Sequence, residues 1–226
     1  MLNIVFVEAA LETVPQRIQN HPTVLKNAER LGKKPGEALL DRSLHHAAMK
    51  SLPKAERRGR PDIIHFCLLE ALGSPLNMEG GLKVWINTFG GYTIEASPKV
   101  RLPRDCNRFK GLMEQLFKFG RVPPRSPEPL LILEKMSLQE LIGKMRPDRV
   151  IALSSHGKPT SLEALCRRLR GFRKPVVFIG AYPTGPLGED TLSSADEAYS
   201  IYPLSLEAWV VTSRLIYEFE RKIRRG

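Results

Sequence analysis

Short apolar runs alternate with helical patterns from residue 130 to the end of the chain. Strands are predicted at residues 130–133, 150–153, 176–179 and 198–202, with helices between them and a long helix from Ser205. Ser137-x-x-Glu140 and Thr160-x-x-Glu163 have the spacing of capping boxes, which predicts the starts of two of these helices. Repeated strand–helix–strand units with short loops indicate an α/β fold with a mostly parallel sheet and helices on both faces.

The first 130 residues combine one buried strand, predicted at residues 2–7, with a hairpin and several helices. Residues 82–87 and 92–96 alternate with period two on either side of Gly90-Gly91, which predicts a β-hairpin. Helices are predicted at residues 39–49, 63–72 and 107–119, one or two short helices around a mobile loop at 12–40, and a linker or turn at 122–129. We interpret residues 1–226 as a single domain in which residues 42–120 form an insertion that carries the hairpin and the basic loops.

The chain is strongly basic, with a net charge of +11 and a pI near 9.8. This charge favours a polyanionic partner, with nucleic acid ahead of an anionic membrane. The apolar runs are shorter than the roughly 18 residues of a membrane helix, and Glu8 directly follows the first run, which favours a strand over a signal peptide. Cys67, Cys106 and Cys166 lack zinc or disulfide spacing. We therefore expect a cytoplasmic protein with neither a metal nor a membrane partner.

Two arginine clusters are candidates for an RNA-binding surface. One lies on a predicted loop, and the other runs from the hairpin into a helix start: Arg57-Arg58-x-Arg60 and Arg101-x-x-Arg104-x-x-x-Arg108. Arg104 and Arg108 would share a side if the helix begins early. Charge runs usually form solvated surfaces, but the forked guanidinium suits phosphates and base edges, and the net charge favours RNA contact here. We interpret the arginines at 167–170 and 221–225 as solvated or nonspecific.

Asp62 follows Arg60 just before an apolar helix. One interpretation is that it caps the helix or serves as an acid in its first turn. Another is that it holds Arg60 in position or handles a proton. The two interpretations are compatible.

A glycine-containing segment, Gly180-x4-Gly185, follows the strand predicted at 176–179. It does not match a phosphate-binding loop, because no Lys-Ser/Thr follows and Pro183 and Pro186 remove backbone amides. Ligands in open α/β sheets bind outside the carboxyl ends of the strands. Three segments meet that condition, at residues 153–157, 180–185 and 199–204, although each is also compatible with a tight turn between packed elements.

Five short motifs occur in order along almost the whole chain. They are Gly-Arg-Pro-Asp-Ile (59–63), Ser-Pro-Leu-Asn (74–77), Arg-Leu-Pro-Arg-x3-Arg-Phe-x-Gly-Leu (101–112), Gly-Ala-x3-Gly (180–185) and Tyr-Pro-Leu-Ser (202–205). Together they resemble the ribosome-biogenesis family of ribosomal-RNA pseudouridine N1-methyltransferases, which belongs to the SPOUT, or α/β-knot, superfamily. The absence of a long N-terminal extension resembles the compact archaeal form.

The resemblance implies a fold, a reaction and partners. Residues of about 150–224 would form a deep trefoil knot that holds S-adenosylmethionine. The enzyme would methylate N1 of a pseudouridine in small-subunit ribosomal RNA, would act in small-subunit biogenesis on the pre-ribosome, and would be a homodimer with RNA bound across it.

The resemblance also implies the site residues. The RNA-binding residues would be Arg60, Arg101, Arg104 and Arg108, with Asp62 orienting Arg60 and also a candidate proton acceptor. The cofactor-binding residues would be Leu153, Ser155, His156, Gly157, Gly180, Gly185, Tyr199, Ser200, Ile201, Tyr202, Pro203 and Leu204.

Two alternatives remain open. The first is an rRNA-binding assembly factor whose methylation is secondary or lost, and the second is another SPOUT enzyme that acts on tRNA. Binding of S-adenosylmethionine discriminates the first alternative, and the arginines beside the hairpin argue against the second.

Overall fold

The computed structural model describes residues 1–221, and its strands join in one eight-stranded sheet. The strands are β1 Leu2–Ala9, β2 Leu82–Thr88, β3 Tyr92–Ala96, β4 Arg121–Val122, β5 Leu131–Lys135, β6 Arg149–Pro159, β7 Pro175–Gly180 and β8 Glu197–Ser200. The helices are α1 Pro22–Leu31, α2 Arg42–Met49, α3 Pro61–Leu72, α4 Pro75–Met78, α5 Cys106–Phe119, α6 Leu138–Met145, α7 Leu162–Arg170, α8 Glu189–Ser193 and α9 Ala208–Arg221. Short 3-10 turns lie at Gln16–Ile18, Pro35–Glu37 and Ala55–Arg57.

Strand β1 lies inside the sheet, whose order is β4-β5-β3-β2-β1-β7-β6-β8. It pairs in parallel with β2 and β7, and β6 pairs in parallel with β7 and β8. The pairs β2–β3, β3–β5 and β4–β5 are antiparallel. The mostly parallel α/β sheet predicted from the apolar pattern is therefore confirmed, with an antiparallel end.

The predicted hairpin is present, but it is not an appendage. Strand β2 pairs with β1, with Val84 opposite Ile4, and β3 pairs with β5. The physical reason is that both faces of β2 are apolar: Val84, Trp85 and Ile86 are all buried. Such a strand needs cover on both sides. The hairpin thus belongs to the main sheet, and the interpretation of residues 42–120 as an insertion on that sheet is wrong for the hairpin.

The alternating side chains of β1 divide the interior into two cores. Leu2, Ile4 and Phe6 pack into one core together with helices α3, α5, α7 and α9. Val5 and Val7 pack into the other, which α6 and α8 cover. A third, smaller cluster lies between α1, α2 and the segments around them.

Several predicted boundaries shift by a few residues. The Ser137–Glu140 capping box is confirmed at α6. Helix α7 is instead capped by Ser161, whose hydroxyl accepts a hydrogen bond from the amide of Ala164 at 3.1 Å, so the Thr160 box is wrong. Helix α9 begins at Ala208 and not at Ser205.

The arginines at residues 167–170 are only partly solvated. Arg167 and Arg168 are exposed, whereas Arg170 is half-buried and donates to the carbonyls of Glu218 and Phe219 at the end of α9. Of the basic tail at 221–225, residues 222–225 lie outside the described residues, as does the end of the predicted knot.

No helix within residues 1–221 is long and apolar enough to cross a membrane. The same residues contain no group of three or more His, Cys, Asp or Glu side chains placed to hold a metal ion. The three cysteines are free, and burial raises the pKa of Cys67 and of Cys166 to about 12.

Candidate functional site

A cavity of about 530 Å³ opens at the carboxyl ends of β7 and β8 and beside residues 153–156 in the middle of β6. Open α/β sheets bind their ligands at such strand ends, and the volume is within the usual range for small-molecule sites. The lining consists of residues 153–156, 179–180, 182–187, 199–202 and 204–208, together with Ile63 and Val211.

The cavity brings together most of the residues that the resemblance assigns to cofactor binding. Gly157 and Pro203 are the two assigned residues that do not line it. The assigned residues that line it are Leu153, Ser155, His156, Gly180, Gly185, Tyr199, Ser200, Ile201, Tyr202 and Leu204.

Gly157 shapes the cavity from outside. Residues 153–157 were predicted as a loop, but strand β6 continues through them, with a shift in its register against β8 between Leu153 and Lys158. A Cβ atom at Gly157 would lie 2.5 Å from the carbonyl carbon of Tyr199 and 2.6 Å from its nitrogen. The loop prediction is wrong because β8 supplies pairing partners that extend the strand, and the glycine is required by this close approach of two backbones.

The sequence patterns did not predict the wall formed by α3 and the start of α9. Ile63 lies in the first turn of α3, and residues 205–208 lead into α9. The signal for the second segment was the Tyr-Pro-Leu-Ser motif, which ends at Ser205, the first residue of that wall. Residues 182–187 all line the cavity as well, although only Gly180 and Gly185 of this segment were predicted as cofactor-binding residues.

The cavity carries little positive charge. Among its described lining residues none is lysine or arginine, and Glu207 is the one carboxylate. Phosphate sites rely on basic side chains and free backbone amides. The lining therefore favours an uncharged or cationic ligand over a nucleotide phosphate.

Arg57 and Arg58 do not belong to an open RNA surface. Arg58 is buried and donates two hydrogen bonds to Glu12, at 2.7 and 2.6 Å. Arg57 donates to Glu8 at 2.6 Å, with both side chains largely buried. The cluster prediction is wrong for these two arginines, because carboxylates distant in sequence occupy their guanidinium groups.

Arg60 differs from its two neighbours. It is half-exposed and makes three contacts with the carboxylate of Asp62, at 2.9, 3.1 and 2.7 Å. The hydrogen bond with Asp62 raises the pKa of Arg60, and the charge of Glu207 in the cavity wall adds to that shift. Arg60 is therefore held in a forked pair by Asp62, at the start of the helix whose first turn lines the cavity through Ile63.

Asp62 itself lies in the first turn of α3, so it is a first-turn acid and not the N-cap residue. Arg60 occupies the N-cap position without a side-chain cap. The expectation that Asp62 orients Arg60 agrees with this geometry. Both carboxylate oxygens contact Arg60, and Asp62 is not among the residues that line the cavity.

The second arginine cluster is exposed. Arg101, Arg104 and Arg108 are all open to solvent, and no ion pair occupies them among the described residues. Helix α5 begins only at Cys106, after the N-cap residue Asp105. Arg104 therefore precedes the helix, and the early helix start that would have placed it on one side with Arg108 does not occur.

Buried His65 fixes the segment that carries these arginines. Its Nε2 atom lies 2.7 Å from the carbonyl oxygen of Pro103, and its ring stacks on Phe109 at 4.3 Å. This anchors the loop before α5 to α3, the helix whose first turn presents Arg60. Helix α3 therefore links the segment with the exposed arginines to the pair formed by Arg60 and Asp62.

The fold and the cavity define an α/β protein with a small-ligand site at its parallel strand ends and free arginines on the framework beside it. A model of the EMG1/NEP1 methyltransferase family matches residues 4–220. The chain is 44% identical over 215 residues to the protein of Staphylothermus marinus described as "Ribosomal RNA small subunit methyltransferase Nep1", covering 95% of this chain and 93% of that protein. It is 43% identical over 221 residues to the Thermococcus sibiricus protein of the same description, covering 97% and 98%.

A solved structure agrees over the same span. The crystal structure of Archaeoglobus fulgidus Nep1 bound to S-adenosylhomocysteine has a TM-score of 0.87 and 38% sequence identity, covering 99% of this chain and 98% of that one. The chain belongs to the EMG1/NEP1 methyltransferase family. The resemblance inferred from the five motifs is thereby confirmed.

Proposed function

We propose that this protein transfers the methyl group of S-adenosylmethionine to N1 of a pseudouridine in small-subunit ribosomal RNA, as a step in small-subunit biogenesis. The observation that carries the proposal is the cavity without basic side chains beside the Asp62-held Arg60. The relatives named as small-subunit rRNA methyltransferases and the relative bound to S-adenosylhomocysteine support it.

The cavity suits S-adenosylmethionine chemically. Its adenosine is uncharged and its sulfonium is cationic, which agrees with a wall that lacks lysine and arginine and contains Glu207. Residues 153–156, 180–185 and 199–204 would hold it, chiefly through backbone and small polar groups. When bound, this cofactor supplies an electrophilic methyl group on a good leaving group.

The task of the protein is then mainly alignment. The cavity walls restrict the position of the methyl donor, and the arginines bind the RNA so that one base enters from the side of Arg60. Holding two reactants in line converts a bimolecular step into an effectively unimolecular one. The base must leave its stack to reach the cavity.

Asp62 has the role of a positioning residue in this proposal. Its oxygens are engaged with Arg60 and it does not line the cavity, so the structure supports the orienting role over that of proton acceptor. The N1 proton would then pass to solvent or to the RNA.

Calorimetric titration tests the cofactor part of the proposal directly. We expect the protein to bind S-adenosylmethionine and S-adenosylhomocysteine at a single site. Absence of binding at millimolar ligand would favour an rRNA-binding assembly factor without methyltransferase activity. Binding without methyl transfer to any small-subunit rRNA fragment would leave that alternative standing.

We also propose that the protein is a homodimer. Two large aromatic side chains remain open on neighbouring helices, Phe66 of α3 at 44% exposure and Tyr217 of α9 at 62%. Exposed aromatic side chains on two helices that pack against each other favour a protein interface. Light scattering of the wild type and of Tyr217→Glu tests this: a dimer that dissociates in the variant is expected, and a monomeric wild type would refute it.

Strand connectivity supports the proposed knot in residues 150–221. Strand β7 enters between β1 and β6, the chain then crosses to β8 on the far side of β6, and α9 returns to pack against α3, α7 and β7. The proposed knot would place the cavity loops around the chain's own path.

A further inference from the structure

One residue with a strained backbone contacts the loop at residues 182–188, most of which lines the cavity. Glu8, near the end of β1, has a backbone φ of 52°, in the left-handed region that residues with a side chain rarely adopt. Such strain persists only where the surrounding structure enforces it, and it clusters at functional sites. Glu8 does not line the cavity, so any effect on a ligand must pass through its partners.

The partners of Glu8 lie in or next to the loop that lines the cavity. Its Oε1 atom accepts hydrogen bonds from the amide of Gly188 at 2.8 Å and from the hydroxyl of Thr191 at 2.7 Å. Its Oε2 atom accepts from Nη2 of Arg57 at 2.6 Å. Each carboxylate oxygen is therefore engaged, and one of them fixes the point where the loop enters α8.

Arg57 fixes the middle of the same loop. Its Nη1 atom donates to the carbonyl of Pro186 at 2.9 Å, and its guanidinium lies 3.8 Å from the centre of the Tyr182 ring. Tyr182 and Pro186 both line the cavity, whereas Arg57 does not. Burial raises the pKa of Tyr182 to about 12, so its ring is an enclosed, neutral wall.

We infer that Glu8 and Arg57, here called the loop clasp, are positioning residues that hold residues 182–188 in the shape that binds the cofactor. This inference rests on the proposed cofactor site. It adds two residues, at positions 8 and 57, to a site otherwise built largely from the last third of the chain. The clasp acts by limiting the conformations of the loop before a ligand arrives, which lowers the ordering cost of binding.

The chain provides a matched control in the adjacent arginine. Arg58 and Glu12 form a second ion pair at similar distances and are at least as buried, but no hydrogen bond within residues 1–221 joins either of them to residues 182–188. Glu12→Gln weakens this pair much as Glu8→Gln weakens the clasp. A merely structural role predicts similar effects of the two changes on cofactor binding, and the loop clasp predicts different ones.

Calorimetric titration with S-adenosylhomocysteine, together with thermal unfolding, tests the inference. Glu8→Gln and Arg57→Lys should each weaken binding about tenfold, the loss of one charge-assisted contact, while Glu12→Gln stays within about twofold of wild type. Hydrogen exchange of the amides at 182–188 should rise in the clasp variants and not in Glu12→Gln. Equal affinities in the clasp variants and wild type would overturn the inference.

Two further outcomes are decisive. If Glu8→Gln does not fold, Thr191→Val takes its place, because it removes one donor to Glu8 and preserves side-chain shape; a weakening of about threefold is expected, and none would overturn the inference. If the wild type itself fails to bind the ligand, the proposed cofactor site is wrong and the inference falls with it. If the wild type binds the ligand and the clasp variants bind it with the same affinity, the loop clasp is refuted and the proposed cofactor site stands.

Discussion

Gly157→Ala should change the shape of the cavity without changing any polar group that lines it. The added Cβ would lie 2.5 Å and 2.6 Å from backbone atoms of Tyr199 and 2.7 Å from the carbonyl carbon of Ala198, well inside the 3.4 Å at which ordinary contact begins. Backbone atoms cannot rotate away, so strands β6 and β8 must separate.

The magnitude follows from this crowding. Overpacking costs about 1–3 kcal/mol, and a clash with backbone belongs at the upper end, so we expect a loss of about 3 kcal/mol in the free energy of unfolding. For a chain of this size that corresponds to a fall in Tm of about 10 °C. The separation also displaces residues 153–156 and 199–202, two walls of the cavity. Affinity for S-adenosylhomocysteine should therefore fall about tenfold or more.

Gly143→Ala provides the control for this experiment. Gly143 lies within α6, and a Cβ atom there would have no neighbour within 4 Å. Alanine in a helix should stabilise the protein by about 0.5–1 kcal/mol and leave ligand affinity unchanged. Thermal unfolding and calorimetry on both variants are the assays. Wild-type Tm and wild-type affinity in Gly157→Ala would refute the close-approach argument.

Three further predictions concern charged groups. Asp62→Gly should weaken RNA binding about fivefold or more by releasing Arg60 while changing cofactor affinity much less, and unchanged RNA affinity in filter binding would contradict the orienting role. Glu207→Gln should lower the affinity for cationic S-adenosylmethionine about threefold relative to neutral S-adenosylhomocysteine, and an unchanged ratio in calorimetry would place Glu207 away from the sulfonium. Burial raises the pKa of Asp41, but hydrogen bonds from Ser43 and Lys110 outweigh burial and leave the pKa below its ordinary 3.8. The Asp41 carboxylate therefore stabilises the fold above pH 3.8, and this stabilisation is lost as the pH falls through the lowered pKa. Asp41→Asn should thus be less stable than wild type at pH 7 by about 1–2 kcal/mol, with the gap narrowing below about pH 4 in urea unfolding, and a pH-independent gap would contradict this assignment.

Local patterns predicted the elements well because each depends on neighbours in sequence. The period-two hairpin, the Ser137–Glu140 capping box and the end of α5 at Gly120 all involve residues within a few positions of each other. The loops at 180–185 and 199–204 were identified because strand ends are also local features. Their convergence on one cavity follows from parallel pairing, which the strand–helix repeats predicted.

What the sequence did not predict depends on distant partners. Local sequence indicated that Arg57 and Arg58 are free basic residues, because the carboxylates that bind them, Glu8 and Glu12, lie 49 and 46 positions away. The position of the hairpin within the sheet depends on pairing with β1, about 80 residues earlier. Strand β6 continues past Leu153 through polar residues because β8 lies beside it. In each case tertiary contacts override a local pattern.

The separation of the arginines into two classes is the clearest gain from the structure. Arg57 and Arg58 are both occupied by carboxylates, and Arg57 also contacts the cavity loop, whereas Arg101, Arg104 and Arg108 remain exposed. Arg60 lies between these classes, paired yet half-exposed. Only arginines with free donors can bind RNA phosphates without first breaking an internal ion pair.

The most direct test of the central claim is mass spectrometry of an RNA hairpin that contains one pseudouridine, incubated with the protein and isotope-labelled S-adenosylmethionine. A hairpin with uridine at the same position is the control. We predict that one labelled methyl group is added to the pseudouridine hairpin and none to the uridine hairpin. The reason is that N1 of uridine is bonded to the ribose, whereas N1 of pseudouridine carries a proton and can accept the methyl group in its place. Equal methylation of both hairpins, or of neither while the cofactor binds, would contradict the account.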